Sequence, residues 1–341
     1  MSRTSGPNGS LENATYSSMV VLSKAEGIAW CSVFILISIF SVAGNLPTIV
    51  LFIISKNLRK KSLFLVLNMA FADFMLGTLS LPGYIFIFGS YYPLWTEANA
   101  VFVTVYRIID TVFSQVALIS AAFISAERFY AIYWPIKYRT LSKQTYRIVV
   151  AIIWALAVLI SAVFNALLNL ISFKYSVYIW APYTLILILV MCGCHIGIWR
   201  KFRHRRLASQ QESKALQSKR LTKTLMLVSA LALLSWTPLI VLSCLEASAF
   251  SIPFRYFTIA NIQNYSNSFV NPIVYALRIP EFKQTFLSCC FGRQAVVNIE
   301  DIKRGKKMAP TSTLETQLRT LRTDPSHLQL SFEQEAMDTK L

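Results

Sequence analysis

The chain has 341 residues, 55% hydrophobic and only 14% charged, whereas a soluble domain is about 45–50% apolar and roughly 25% charged. That excess of apolar surface excludes an ordinary water-soluble fold. The net charge of +17 does not point to nucleic acid, because Lys and Arg gather in short patches between long uncharged runs, which is the membrane pattern.

Residues 1–26 are polar and lack the apolar core of a secretory signal, so the first span is expected to act as its own insertion signal. This tail carries two glycosylation sequons, at Asn8 and Asn13. Seven segments then approach the roughly 20 mostly apolar residues of a membrane helix: 27–55, 63–89, 98–131, 145–168, 176–199, 222–246 and 256–278. Each must be helical, since an unpaired backbone amide in hydrocarbon costs several kcal/mol. Alternate loops are basic: Lys56, Arg59, Lys60 and Lys61; then Lys137, Arg139, Lys143 and Arg147; then a run from Arg200 to Lys223. Those loops belong in the cytoplasm, which puts the amino terminus outside and the carboxyl terminus inside. The connection between spans four and five, 169–175, is too short to fold into a lid.

After the seventh span, residues 279–291 read as an amphipathic helix, with Phe282 and Phe286 facing the membrane surface. Cys289 and Cys290 follow as a palmitoylation pair. Residues 292–341 form a polar, disordered cytoplasmic tail with Thr311, Ser312, Thr313 and Ser331 as phosphorylation candidates. The fold class expected is all-α: a seven-transmembrane helix bundle across 27–278, with a short amphipathic eighth helix. No disulfide framework is expected from the six cysteines.

A charge inside a span is costly and marks a functional candidate. Very few occur: Asp73 in span two, Arg107 and Asp110 in span three, and Glu127 with Arg128 at that span's inner end. His195 in span five reads as structural. Three scattered histidines offer no catalytic or metal cluster, so no enzyme is expected. A transporter is disfavoured because no internal repeat is visible.

These residues fall into a familiar order. Gly44-Asn45 lies in span one, and Leu67-Asn-Met-Ala-Phe-Ala-Asp73 in span two. Span three ends in Glu127-Arg128-Phe129, and Trp154 sits in span four. Ser235-Trp236-Thr237-Pro238 lies in span six, and Asn271-Pro272-Ile-Val-Tyr275 ends span seven. Over about 27–291 the chain resembles a rhodopsin-like G-protein-coupled receptor.

The resemblance implies a plasma-membrane receptor whose partners are an extracellular ligand, membrane lipids, a heterotrimeric G protein, arrestin and a receptor kinase. It implies that Pro238 kinks span six under a cavity floored by Trp236, and that the inner end of span six swings outward on activation. Asn271, Pro272 and Tyr275 join that machinery, with Arg128 paired to Glu127 at rest. Such receptors often add an acid on span six, but Ser218-Lys219-Arg220 supplies none, which predicts a weak latch and high basal signalling. Asp73, Asn267 and Ser268, near Asn45 and Asn271, match the family's sodium site, although Ala117 stands where a serine hydroxyl is usual. No other cofactor is implied.

For the ligand, Asp110 and Tyr265 resemble the pair that holds the ammonium in amine receptors, and Ser114 joins that set. Eighteen residues, five turns at about 3.6 per turn, separate Asp110 from Arg128 on one helix face. Two other readings stand beside this one. Arg107, three residues before Asp110, is placed to pair with it along the helix. Val103 replaces the usual disulfide cysteine, as in melanocortin, cannabinoid and lysophospholipid receptors, and there Arg107 would hold an acidic headgroup and Glu246 a basic peptide. Light sensing through a span-seven Schiff base is excluded, since no lysine lies between Lys223 and Lys283.

Overall fold

The structure, a computed structural model, describes residues 23–55, 63–205, 213–248, 250–278 and 282. Every regular element among them is helical. Span one is Lys24–Ile54, span two Phe64–Tyr91, span three Ala100–Tyr133 and span four Lys143–Leu170. Span five is Phe173–Arg205, span six Ser213–Ala247 and span seven Phe254–Arg278. The end where span one begins is called outer and the opposite end inner, following the loop charges.

Six of these helices are long and apolar enough to cross a membrane. Span seven is the exception to the sequence expectation. It is helical as expected, but Asn261, Gln263, Asn264, Asn267 and Asn271 make it too polar to qualify on composition. Most of that polarity faces neighbouring helices, because spans one, two and six all pack against span seven. Four of its five amides are buried or half-buried between these helices, which is what makes a polar helix tolerable in hydrocarbon.

Span three is the axis of the bundle and touches spans two, four, five and six. Apart from Gln115, its middle, Ser114 to Ile124, is small or apolar and largely buried, so neighbours approach closely. Two polar clamps fix this centre. The Asn68 side chain donates to Ser120 Oγ at 2.9 Å and accepts from the Trp154 indole at 3.0 Å, tying spans two, three and four. Ser125 Oγ lies 3.4 Å from His195 Nε2 and joins spans three and five, which gives His195 a structural place.

Two local features were not foreseen. Span two widens into a π-helical turn at Leu76–Ser80, just before Pro82. A short helix, Pro135–Thr140, follows span three and brings Tyr138 back beneath the bundle. At the outer rim the indole of Trp95 lies on Gly89, where a Cβ would come within 2.2 Å of the ring. Its Nε1 donates to Phe86 O at 2.6 Å, folding the loop after span two onto that span. Cys31, Cys192, Cys194 and Cys244 are all free thiols.

Phe282 corrects the expectation that it faces lipid. It is buried with Phe52, Leu63 and Tyr275. Most of the amphipathic helix, together with Asn8, Asn13, Cys289 and Cys290, lies outside the described residues.

The Asn68 clamp makes a direct prediction. Asn68→Leu strands the Trp154 N–H and the Ser120 hydroxyl in an apolar core, which costs about 1–3 kcal/mol. The melting temperature of the purified protein in detergent should fall; an unchanged value would mean that the clamp contributes nothing.

Candidate functional site

A cavity of about 420 Å³ opens between spans three, four, five, six and seven in the outer half of the bundle. Its walls are mostly apolar. Trp236 lies against its floor, with Trp180 of span five 6.2 Å away between ring centroids. Asp110 supplies the one carboxylate among the lining residues, and Arg107 the one basic group. Ser114, Trp236 and Tyr265 also line it, so the cavity gathers five of the six ligand candidates. Glu246, the sixth, is exposed at the outer end of span six and does not line this cavity.

Asp110 and Arg107 do not pair with each other; each is held by a neutral partner on a different helix. Tyr265 donates to Asp110 Oδ1 at 2.8 Å, and the Tyr106 hydroxyl lies 3.3 Å from that of Tyr265. Arg107 Nη2 donates to Asn169 Oδ1 at 2.8 Å, at the outer end of span four. The ion pair along the helix is therefore not the resting arrangement. Span three presents one turn with two opposite charges leaning towards opposite walls.

Several polar atoms around this cavity are buried without a partner: Arg107 Nε, Gln115 Oε1, Ser161 Oγ and Asn264 Nδ2. Unsatisfied polar groups are expensive where no water reaches them. All four belong to residues that line this one cavity.

Below the cavity, three spans meet around Asp73. Asn271 Nδ2 donates to Asp73 Oδ2 at 2.9 Å, Ser41 Oγ donates to Asp73 O, and Asn45 Nδ2 donates to the carbonyls of Ser41 and Ser268. Four buried oxygens here accept nothing: Asp73 Oδ1, Asn45 Oδ1, Asn267 Oδ1 and Asn271 Oδ1. A set of carboxylate and amide oxygens is what a hard cation prefers, so the residues fit one.

At the inner end Arg128 forms an ion pair with Glu127 and also donates to the Tyr138 hydroxyl at 2.8 Å. Tyr138 and Tyr146 both donate to Glu127 Oε1, at 2.7 and 2.8 Å. Burial holds the Tyr138 hydroxyl above its ordinary pKa, so it stays protonated and bridging. The latch thus closes on the short helix after span three and on span four. The side chains of Ser218, Lys219 and Arg220 lie outside the described residues.

Pro238, inside the continuous helix of span six, lacks an N–H, which leaves the Leu234 carbonyl without its helical donor. Gln263 of span seven fills the gap, its amide donating to Leu234 O at 2.8 Å. Tyr275 and Asn271 are buried, and Pro272 packs against Gly44.

Tyr138, Asn169 and Gln263 were missed in the sequence. Only Gln263 left a signal there: a proline inside a membrane helix frees the carbonyl four residues back and asks a neighbour for a donor.

Residues 44–275 match the family described as 7 transmembrane receptor (rhodopsin family). Adenosine receptor A3 of Canis lupus familiaris is 25% identical over 292 residues, covering 76% of this chain and 90% of that receptor. Adenosine receptor A2a of the same species is 25% identical over 308 residues, covering 78% and 73%. Cannabinoid receptor 2 of Mus musculus is 25% identical over 313 residues, covering 85% and 88%.

Proposed function

Because the chain belongs to the rhodopsin family of seven-transmembrane receptors, a multi-pass membrane family that couples an extracellular ligand to a G protein, we propose that its outer cavity binds a cationic, amine-like small molecule. The observation that carries this reading is Asp110: the one carboxylate among the cavity-lining residues, oriented by Tyr265 and surrounded by aromatic wall. An ammonium offered to such a group gains a charge-assisted hydrogen bond in a low dielectric. Relatives named for adenosine and for cannabinoids, each about 25% identical, do not select a ligand for this chain.

The proposed signal path runs down span six. A ligand resting on Trp236 shifts its packing against Trp180, the helix turns about Pro238, and the inner end of span six moves to admit the G protein. Arg128 leaves its latch in the active state. In this reading the amino terminus is outside, with glycans on Asn8 and Asn13. Palmitate sits on Cys289 and Cys290, and the tail serves a receptor kinase and arrestin. The basic loops and the sequons support that orientation.

A sodium ion bound by Asp73, Asn45, Asn267, Ser268 and Asn271 belongs to the same proposal, supported by the unpartnered oxygens there. When bound it would hold spans one, two and seven together.

Three experiments test these readings. Asp110→Asn keeps the shape and removes the charge, so a monoamine that activates the receptor should lose about 2–5 kcal/mol of binding, roughly thirty-fold or more. Unchanged potency at equal surface density rejects the cationic ligand.

Tyr138→Phe removes hydrogen bonds to two charged groups, worth about 1.5–3 kcal/mol each, from the resting state alone. Ligand-free signalling, already expected in the unmodified receptor, should rise several-fold in a reporter assay. A silent variant at equal expression contradicts the latch.

Ligand binding to the folded state raises stability by mass action. The purified receptor should melt at a higher temperature in sodium than in N-methyl-glucamine, and Asp73→Asn should erase the difference. Equal melting of the unmodified receptor in both salts removes the sodium ion.

A further inference from the structure

Resting on the reading that Asp110 holds a ligand cation, we infer that the outer cavity is built for a zwitterion, whose acid group sits on Arg107 while its ammonium sits on Asp110.

The two side chains leave the same face of span three, three residues apart, so their Cβ atoms are about 5–6 Å from each other. At that spacing an Arg and an Asp facing one cavity would ordinarily join. Here neutral partners separate them: Asn169 draws the guanidinium towards span four, and Tyr265 draws the carboxylate towards span seven. The result is a dipole fixed across the cavity, with its positive end beside span four.

Arg107 is also incompletely used. Its Nη2 is engaged by Asn169, with Thr104 Oγ1 at 3.5 Å, but Nε is buried and has no partner. A guanidinium offers donors in a fixed fork that suits a carboxylate or phosphate, and an unused buried donor at that fork is a vacancy for an anion. A simple amine would satisfy Asp110 and leave this donor stranded. A simple acid would satisfy Arg107 and leave the Asp110 charge without a counter-ion. One ligand carrying both groups satisfies both at once, while its apolar body rests on Trp236 and Trp180.

The spacing also restricts the ligand. The two heads lean apart from Cβ atoms already one turn distant, so the ligand's charges must be separated by several carbons. The single carbon of an α-amino acid is too short. The class is therefore a γ-amino acid or an amine linked through a short chain to an acid, with an apolar or aromatic substituent.

Three matched probes share one phenyl ring: 2-phenylethylamine with the amine alone, 3-phenylpropanoate with the acid alone, and 4-amino-3-phenylbutanoate with both. Potency is read in a G-protein reporter assay on the full receptor, normalised to surface density, with Arg107→Gln, Arg107→Lys and Asp110→Asn. The zwitterion should act at concentrations about ten-fold or more below either single-charge probe, as expected when a second charge-assisted contact is added. Arg107→Gln should remove that advantage, bringing the zwitterion to the potency of the amine measured on the same variant, because the acid contact is lost. Arg107→Lys should restore part of it, and Asp110→Asn should abolish the response to amine and zwitterion alike.

If the amine acts through Asp110 but the zwitterion is no better, or if Arg107→Gln weakens every probe equally, the zwitterion inference is overturned while the cationic reading survives. If only the acid acts and Asp110→Asn is harmless, the cationic reading itself falls. Silence towards all three probes at millimolar concentration counts against both.

Discussion

Hydrocarbon neither donates nor accepts a hydrogen bond, so each polar side chain within a span is either answered by another part of the protein or left at a cost of several kcal/mol. That constraint sorts the polar residues of this receptor into two groups. Asn68, Trp154 and Ser120 answer one another completely and serve as a rivet through the centre of the bundle. The groups around Asp73, and those lining the outer cavity, are answered only in part. In the proposed reading, an ion and a ligand supply the missing partners at these two places.

The same constraint explains how a proline inside span six is tolerated. Pro238 removes one donor from span six and exposes one carbonyl, and Gln263 returns the donor from the neighbouring helix. The repair is made by a single side chain from another helix. At the inner end, the latch on Arg128 is likewise assembled from side chains of different elements, with two tyrosine hydroxyls converging on Glu127. Both devices can be undone without unfolding any helix, which is the condition for two conformations separated by only a few kcal/mol.

Six of the spans were legible in the sequence because length and apolar content suffice to define them; span seven is helical as expected although it is too polar for that test. Asp110 beside Tyr265, Trp236 at a cavity and Asp73 beside Asn271 could be placed through the family resemblance, since spacing along one helix fixes depth and face. What escaped the sequence depends on contacts between helices. Arg107 had two candidate partners in the sequence, its neighbour Asp110 and an acidic headgroup; the packing of span four brings Asn169 to it instead. Tyr138 reaches Arg128 because a six-residue helix turns the loop back, and no periodicity announces so short an element. Phe282 was read from amphipathic spacing as facing lipid, yet it fills a gap beside Tyr275. Spacing describes a helix alone and says nothing of what stands next to it.

Span seven has a consequence for how the protein comes into being. A segment with five amides among 25 residues gains little by entering a bilayer on its own. It becomes comfortable there only when the earlier helices are already in place to receive its side chains. Synthesis from the amino terminus delivers it last, so the closing piece of the bundle can be seated only in a correctly assembled remainder. A nascent chain with a faulty early helix would leave span seven unhoused, and its exposed amides would mark that chain for removal before it reached the cell surface.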